Sequence, residues 1–147
     1  MPATLPCSPS STNPTITERG LWNIFRTCGR DDQQGKVAGT YILSHFKDKK
    51  IAFINDKTTY GKGLADETKK ALNKAGFTEK MFESYNKGDK DFNAIVSRLK
   101  LEKIDLVYVG GYHQESGLIV RQMRDQGMQT VLMAGDALAD AEEHLQG

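Results

Sequence analysis

Three short polar stretches carry side chains able to do chemistry, and each follows an apolar run. "IAFI" leads into Asn55, Asp56 and a loop to Tyr60. "LVYV" leads into Gly110, Gly111, Tyr112 and His113, and "VLMA" into Gly135 and Asp136. A fourth stretch, "SPSSTNPTIT", sets Ser10, Ser11 and Thr12 before a short helix. These residue types suit the clasping of a small zwitterion. A tyrosine offers an apolar ring with a hydroxyl handle. A carboxylate such as Asp136 pairs with an ammonium group. A Ser/Thr turn at a helix start offers N–H and hydroxyl donors to a carboxylate, although the same composition is that of an ordinary polar loop with a cap.

Other chemistries fit less well. A phosphate loop needs GxGxxG or GxxxxGK[ST], and neither "YGKG" nor "GGYHQESG" matches. Asp56 as a phosphoacceptor would need an acidic pair near the first strand's end and a Lys after a later one. No GxSxG elbow or Cys/His pairing points to hydrolysis. His113 follows a strand end, where a base can sit, but no nucleophile is nominated beside it; a surface or helix-capping role is the plainer reading. His45, His113 and His144 are isolated and no CxxC is present, so neither a metal nor a cofactor is expected. Cys7 and Cys28 could form a bridge in an oxidising compartment and are otherwise two thiols. The expectation is a binding protein, not an enzyme.

The elements that would position these residues follow from pattern. The chain has 147 residues, 38% hydrophobic and 27% charged, with a net charge of +1. That suits one folded domain and gives no bulk electrostatic reason for nucleic acid or an anionic membrane as partner. The basic cluster "KDKK" reads as a solvated helix end. No apolar stretch approaches the roughly 20 residues that span a bilayer. The start, "MPATLPCSPSSTNPT", lacks the basic and apolar regions of a signal peptide.

A loop to about residue 13, with a strand at 5–8, precedes a helix start with Thr15 as N-cap and Glu18 completing a capping box. Residues 21–27 read as a strand. A helix over 34–45 follows, on which Val37, Tyr41 and His45 recur four apart, flanked by Ala38 and Ile42. "KKIAFIND" is a buried strand. Leu64, Ala65, Thr68, Ala71, Leu72 and Ala75 then repeat at helical spacing, with Gly76 as the C′ residue. "EKMFESY", "IDLVYVGG" and "QTVLMAGD" are further strands, separated by helices carrying Phe92, Ile95, Val96 and Leu99, and "HQESGLIVRQMRDQG". The tail 137–147 has weak helical character. Strands alternating with helices imply an α/β fold, an open parallel doubly wound sheet with helices on both faces. In such a sheet ligands sit outside the carboxyl ends of the strands, which puts the three strand-end stretches along one edge.

"RTCGRDDQQG", "DKTTYGKGLA", "KDFNAIVSRLK", "IDLVYVGGYHQESGLIVRQMR" and "LMAGD" together resemble the branched-chain amino acid-binding proteins, the type I periplasmic receptors of ATP-driven importers. The resemblance runs from about Cys7 to Asp136. It implies one lobe of a two-lobed α/β fold: residues 1–30 a remnant of the first lobe and a crossing strand, 31–136 most of the second lobe, and 137–147 an atypical tail. It implies ligand contacts at Ser10, Ser11 and Thr12, at Tyr60 and Tyr112, and at Asp136, which stands where many relatives have Glu. It further implies leucine, isoleucine or valine as ligand, a membrane permease as partner of the intact protein, and the periplasm as location, where a Cys7–Cys28 bridge becomes more plausible. A fragment with half the contacts should bind weakly or not at all, and its open sheet edge should favour a homodimer. The competing reading is a stand-alone doubly wound signalling or nucleotide-binding domain.

Overall fold

The computed structural model describes residues 5–139. Two sheets form. A small parallel pair joins β1 (Cys7–Ser8) to β2 (Phe25–Arg26). The main sheet holds β3 (Ile51–Asn55), β4 (Met81–Ser84), β5 (Leu106–Gly110) and β6 (Val131–Ala134). Its order is β4-β3-β5-β6 and every pairing is parallel. Four helices connect or flank these strands: α1 (Asp31–His45), α2 (Thr59–Lys74), α3 (Asn93–Leu101) and α4 (His113–Asp125).

The central strands explain their own sequences. Ala52 and Ile54 of β3 face one core with Val107 and Val109 of β5, while Ile51, Phe53, Leu106 and Tyr108 face the other. Both faces are covered, so the period-two polar alternation of a half-exposed strand is absent. One core is closed by Phe92, Val96 and Leu99 from α3 and its start, and by Ile119 and Met123 from α4. The other is closed by Ala38 and Ile42 from α1 and by Leu64, Ala65 and Leu72 from α2. Helices therefore lie on both faces, as the alternation of elements implied. α2 stops where Gly76 takes φ +81°, with Phe77 N–H donating to Leu72 O at 3.1 Å, a Schellman closure.

Several local expectations need correction. The strand expected over 21–27 shrinks to Phe25–Arg26, and Trp22 stands 74% exposed in a turn. The cap before the first short helix is Asn13, not Thr15: its side chain accepts from Thr15 N–H at 2.9 Å and starts a single 3₁₀ turn, Pro14–Ile16. α1 begins at Asp31 rather than 34. Its Val37 and Tyr41 are exposed, and the buried face is Gly35, Ala38, Gly39 and Ile42. The reason is close approach to α2: a Cβ on Gly35 would meet the Glu67 carbonyl carbon and the Thr68 nitrogen at 2.7 Å. Small residues make that contact, and a count of apolar positions misses glycine.

Cys7 and Cys28 are free thiols. Cys7 is in register with Phe25, and Cys28 lies in a bend two residues beyond the end of β2. Among the described residues no helix is long and apolar enough to cross a membrane. His144 and the helical character expected of the tail fall, from residue 140 on, outside the described residues.

Candidate functional site

β3 sends its connection to β4 on one side and the chain then returns to β5 on the other, so the topology switches between β3 and β5. The fork is closed by Asp56 N–H, which donates to Gly110 O at 3.0 Å. Asp56 Oδ1 accepts from Thr58 N–H at 2.9 Å and from its hydroxyl at 2.6 Å. Thr58 in turn caps α2, its hydroxyl oxygen accepting from Gly61 N–H at 3.0 Å. Glycine is required where α2 meets β5: a Cβ on Gly110 would lie 2.0 Å from Gly61 O, and one on Gly61 would lie 2.5 Å from Gly110 O. The first turn of α2 thus rests on the end of β5.

That contact brings two of the expected residues together. The Tyr60 and Tyr112 rings are 5.2 Å apart and tilted by 40°, within the range of favourable aromatic pairs. Lys87 Nζ sits 4.5 Å from the Tyr112 ring centre. Tyr60 Oη donates to Asp136 Oδ1 at 2.7 Å and accepts a longer 3.4 Å contact from Ala137 N–H. Burial first, and then the Asp136 bond, hold the Tyr60 phenol well above the usual tyrosine range. Asp136 N–H donates to Gln34 Oε1 at 3.1 Å, tying the turn after β6 to α1.

The Ser/Thr segment reaches the same region through α1. Asp31 N–H, at the first position of α1, donates to Thr12 O at 2.9 Å. Ser10 is exposed. Ser11 has both backbone groups occupied: its N–H donates to Ser8 Oγ at 3.0 Å, and its carbonyl accepts from Arg26 at 2.9 Å. Arg26 also donates to Asn13 O at 2.7 Å and to Thr17 Oγ1 at 2.6 Å, so one guanidinium shapes the whole turn. Thr12 is the buried member of the three.

Sequence reasoning missed Asp31. It is 1% exposed, and neither carboxylate oxygen has a hydrogen-bond partner in good geometry, although the Thr12 hydroxyl lies close enough to act on it. Burial raises its pKa above the ordinary carboxylate value; the Thr12 hydroxyl pulls it back, and the charge of Asp136 pushes it up again. A Cβ on Gly63 would approach Asp31 Oδ2 at 3.6 Å and the Asn13 amide at 3.9 Å, so Asp31 faces the N-terminal part of α2. Thr12 with Asp31, and Tyr60 with Tyr112 and Asp136, are two groups joined through α1, whose Gln34 holds Asp136 N–H: two carboxylates, two aromatic rings and a buried hydroxyl. Such a set suits a cation carried on a small apolar body. The available signal was an acidic pair, "RDDQQG", opening a helix directly after the Arg26 strand. Arg26 and Gln34 were missed as well, because their roles are to hold backbone.

A separate open groove of about 390 Å³ lies between α1 and β6. It shares Gln34 and Asp136 with the site, but its walls are Val37, Ala38, Tyr108 and Met133. Those suit packing of another apolar element more than a zwitterion.

Comparisons with known proteins bear on the family and the fold. A family model described as periplasmic binding protein matches residues 4–146. The Leu/Ile/Val-binding protein homolog 1 of Brucella suis biovar 1 is 58% identical over 138 residues, 94% of this chain and 37% of that protein. Among solved structures, the branched-chain amino acid transporter substrate-binding protein LivJ of Streptococcus pneumoniae, in complex with isoleucine, superposes with a TM-score of 0.80 at 30% identity. That match covers 89% of this chain and 37% of that one. The leucine-binding protein LivK of Thermotoga maritima gives 0.79 at 28% identity, over 90% of this chain and 37% of that one. The chain therefore spans well under half the length of the relatives it matches.

Proposed function

The chain belongs to the periplasmic binding protein family, a family of solute binders rather than enzymes, and on that premise we propose that it contributes one side of an inter-lobe cleft for a branched-chain or related amino acid. The observation that carries this reading is Asp31. A carboxylate with 1% exposure whose two oxygens lack a well-formed hydrogen bond, beside Thr12 and facing the N-terminal part of α2, is the feature that an α-ammonium would complete. Thr12 and its turn serve the ligand's carboxylate, Tyr60 and Tyr112 cover its body, and Asp136 shares the ammonium with Asp31.

The resemblance extends the proposal. Residues 1–30 belong to a first lobe and a crossing, 31–136 to a second lobe, and 137–147 to a tail of its own kind. The intact protein delivers its ligand in the periplasm to the permease of an ATP-driven importer. Names of the relatives support leucine, isoleucine and valine as the ligands to try. A clamshell receptor gains affinity by enclosing the ligand between lobes. A chain carrying mainly one of them binds on the order of 10²-fold or more weakly than an enclosing pair, since each lost 1.4 kcal/mol is tenfold.

The test is titration of the labelled chain with leucine, isoleucine and valine by NMR, with ATP and GTP as comparison. Shifts at Thr12, Tyr60 and Tyr112 with the amino acids, lost in Asp31→Asn, are expected. Response to a nucleotide alone would replace this reading with a nucleotide-binding domain. Micromolar or tighter affinity for leucine would overturn the half-cleft argument.

A further inference from the structure

Behind the two tyrosines lies a second buried polar cluster that the zwitterion site does not use. Asp56 is 2% exposed, and Tyr85 and Glu115 are 3% exposed. Each keeps one oxygen without a hydrogen-bond partner: Asp56 Oδ2, Tyr85 Oη and Glu115 Oε2. The second oxygen of each carboxylate is occupied. Asp56 Oδ1 accepts from Thr58, and Glu115 Oε1 accepts from Gly88 N–H at 2.8 Å. Gly111 brings the group together: a Cβ there would lie 2.3 Å from Tyr85 Oη and 3.6 Å from Asp56 Cβ. Glu115 stands one helical turn further on in α4. Burial, then the charge of Asp56, then that of Glu115 keep the Tyr85 phenol protonated beyond its ordinary range. Gly111 thus places Tyr85 Oη beside Asp56, and the charges of Asp56 and Glu115 both act on that phenol, while none of the three oxygens hydrogen-bonds to another.

We infer that Asp56 Oδ2, Tyr85 Oη and Glu115 Oε2 form a site for one water molecule. Donors and acceptors balance there. The Tyr85 O–H donates to the water oxygen, and the water's two hydrogens go to the two carboxylates. A metal cation does not balance. It would leave the phenol hydrogen without an acceptor, and three oxygens fall short of the roughly six to eight that calcium takes. The water joins the segments after β3 and β4 to the first turns of α4. It therefore braces, from behind, the backbone that carries Tyr60 and Tyr112.

The test is a near-atomic crystal structure of the chain, native and soaked in rubidium chloride. One peak of water occupancy within hydrogen-bond distance of all three oxygens, with no anomalous rubidium signal, is expected. A rubidium peak, or the three oxygens closed onto one another with no peak, overturns the assignment. Tyr85→Phe removes the donor to the water, and amide exchange at Gly88, whose acceptor is Glu115, should speed up about tenfold in the folded variant. Unchanged exchange at Gly88 counts against the bridge. Should Tyr85→Phe fail to fold, the native crystal decides alone.

Discussion

The Tyr60 hydroxyl donates a 2.7 Å hydrogen bond to Asp136 Oδ1, linking the first turn of α2 to the turn after β6. Two of the expected ligand contacts are thus each other's partners. In the proposed cleft an arriving ammonium would share Asp136 with a phenol. Tyr60→Phe should cost about 1 kcal/mol of stability, the usual net worth of one such bond. Denaturant unfolding at neutral pH measures it, and no loss would mean that the pair contributes nothing to the fold.

Asp31 should weaken the fold at neutral pH. Its pKa is raised above 3.8, chiefly by burial, so the folded state holds the proton more tightly than the unfolded chain. Stability from that proton is present below pH 3.8 and is lost as pH rises through the folded value. The melting temperature of Asp31→Asn minus that of the native chain should therefore grow from pH 3 to pH 7. A difference that shrinks over this range would contradict the buried-carboxylate argument.

The tyrosines set the alkaline limit. Burial pushes the Tyr108 phenol up from 10.0 to about 12, and Tyr60 and Tyr85 shift in the same direction. Unfolded phenols ionise near pH 10 while these remain protonated, so stability is intact below pH 10 and falls as pH climbs toward 12 and beyond. Tyrosinate absorbance and circular dichroism should change together in that window. Ionisation of these tyrosines well before loss of the circular dichroism signal would show that they are accessible in the folded chain.

The glycine contact between α2 and β5 allows a sharp comparison. A Cβ at Gly110 would lie 2.0 Å from the Gly61 carbonyl oxygen, a backbone atom that cannot rotate away. Gly110→Ala should cost about 3 kcal/mol or more, the upper end of overpacking, and should separate the Tyr60 and Tyr112 rings. Gly76→Ala meets open space and bears only a positive φ, worth about 1 kcal/mol. Equal costs in thermal unfolding would refute the close-contact account.

An open edge should pair. Among the described residues β6 is an outer strand with Val131 44% exposed, and exposed edge strands invite a second chain. We expect a concentration-dependent homodimer by light scattering, dispersed by Val131→Lys. A monomer at every concentration would remove that proposal.

The parallel sheet was legible because "IAFI" and "LVYV" are buried on both faces and bounded by charge or glycine. The neighbourhood of three candidate residues was legible as far as strand ends could be located: Tyr60, Tyr112 and Asp136 each follow one, and the structure brings the three together. Asp31 escaped because its meaning lies in missing partners, a property of packing that no spacing encodes. The α1 face was misjudged because Val37 and Tyr41 carry the apolar signal while Gly35 and Gly39 make the contact. Ser10 and Ser11 were legible as a turn, but the hold of Arg26 on Ser11 and Asn13 joins positions a dozen or more residues apart.

Among the described residues the two sheets are separate: β1 pairs with β2, and the main sheet runs β4-β3-β5-β6 without them. In mechanical language, the division proposed at residue 30 would make the stretch between Arg26 and Asp31 an axle rather than a wall. Thr12 is mounted on one side of it and Tyr60 on the other, with the Thr12–Asp31 backbone bond at the bearing. A molecule gripping both would set an angle, and a docking partner could read that angle without touching the molecule itself.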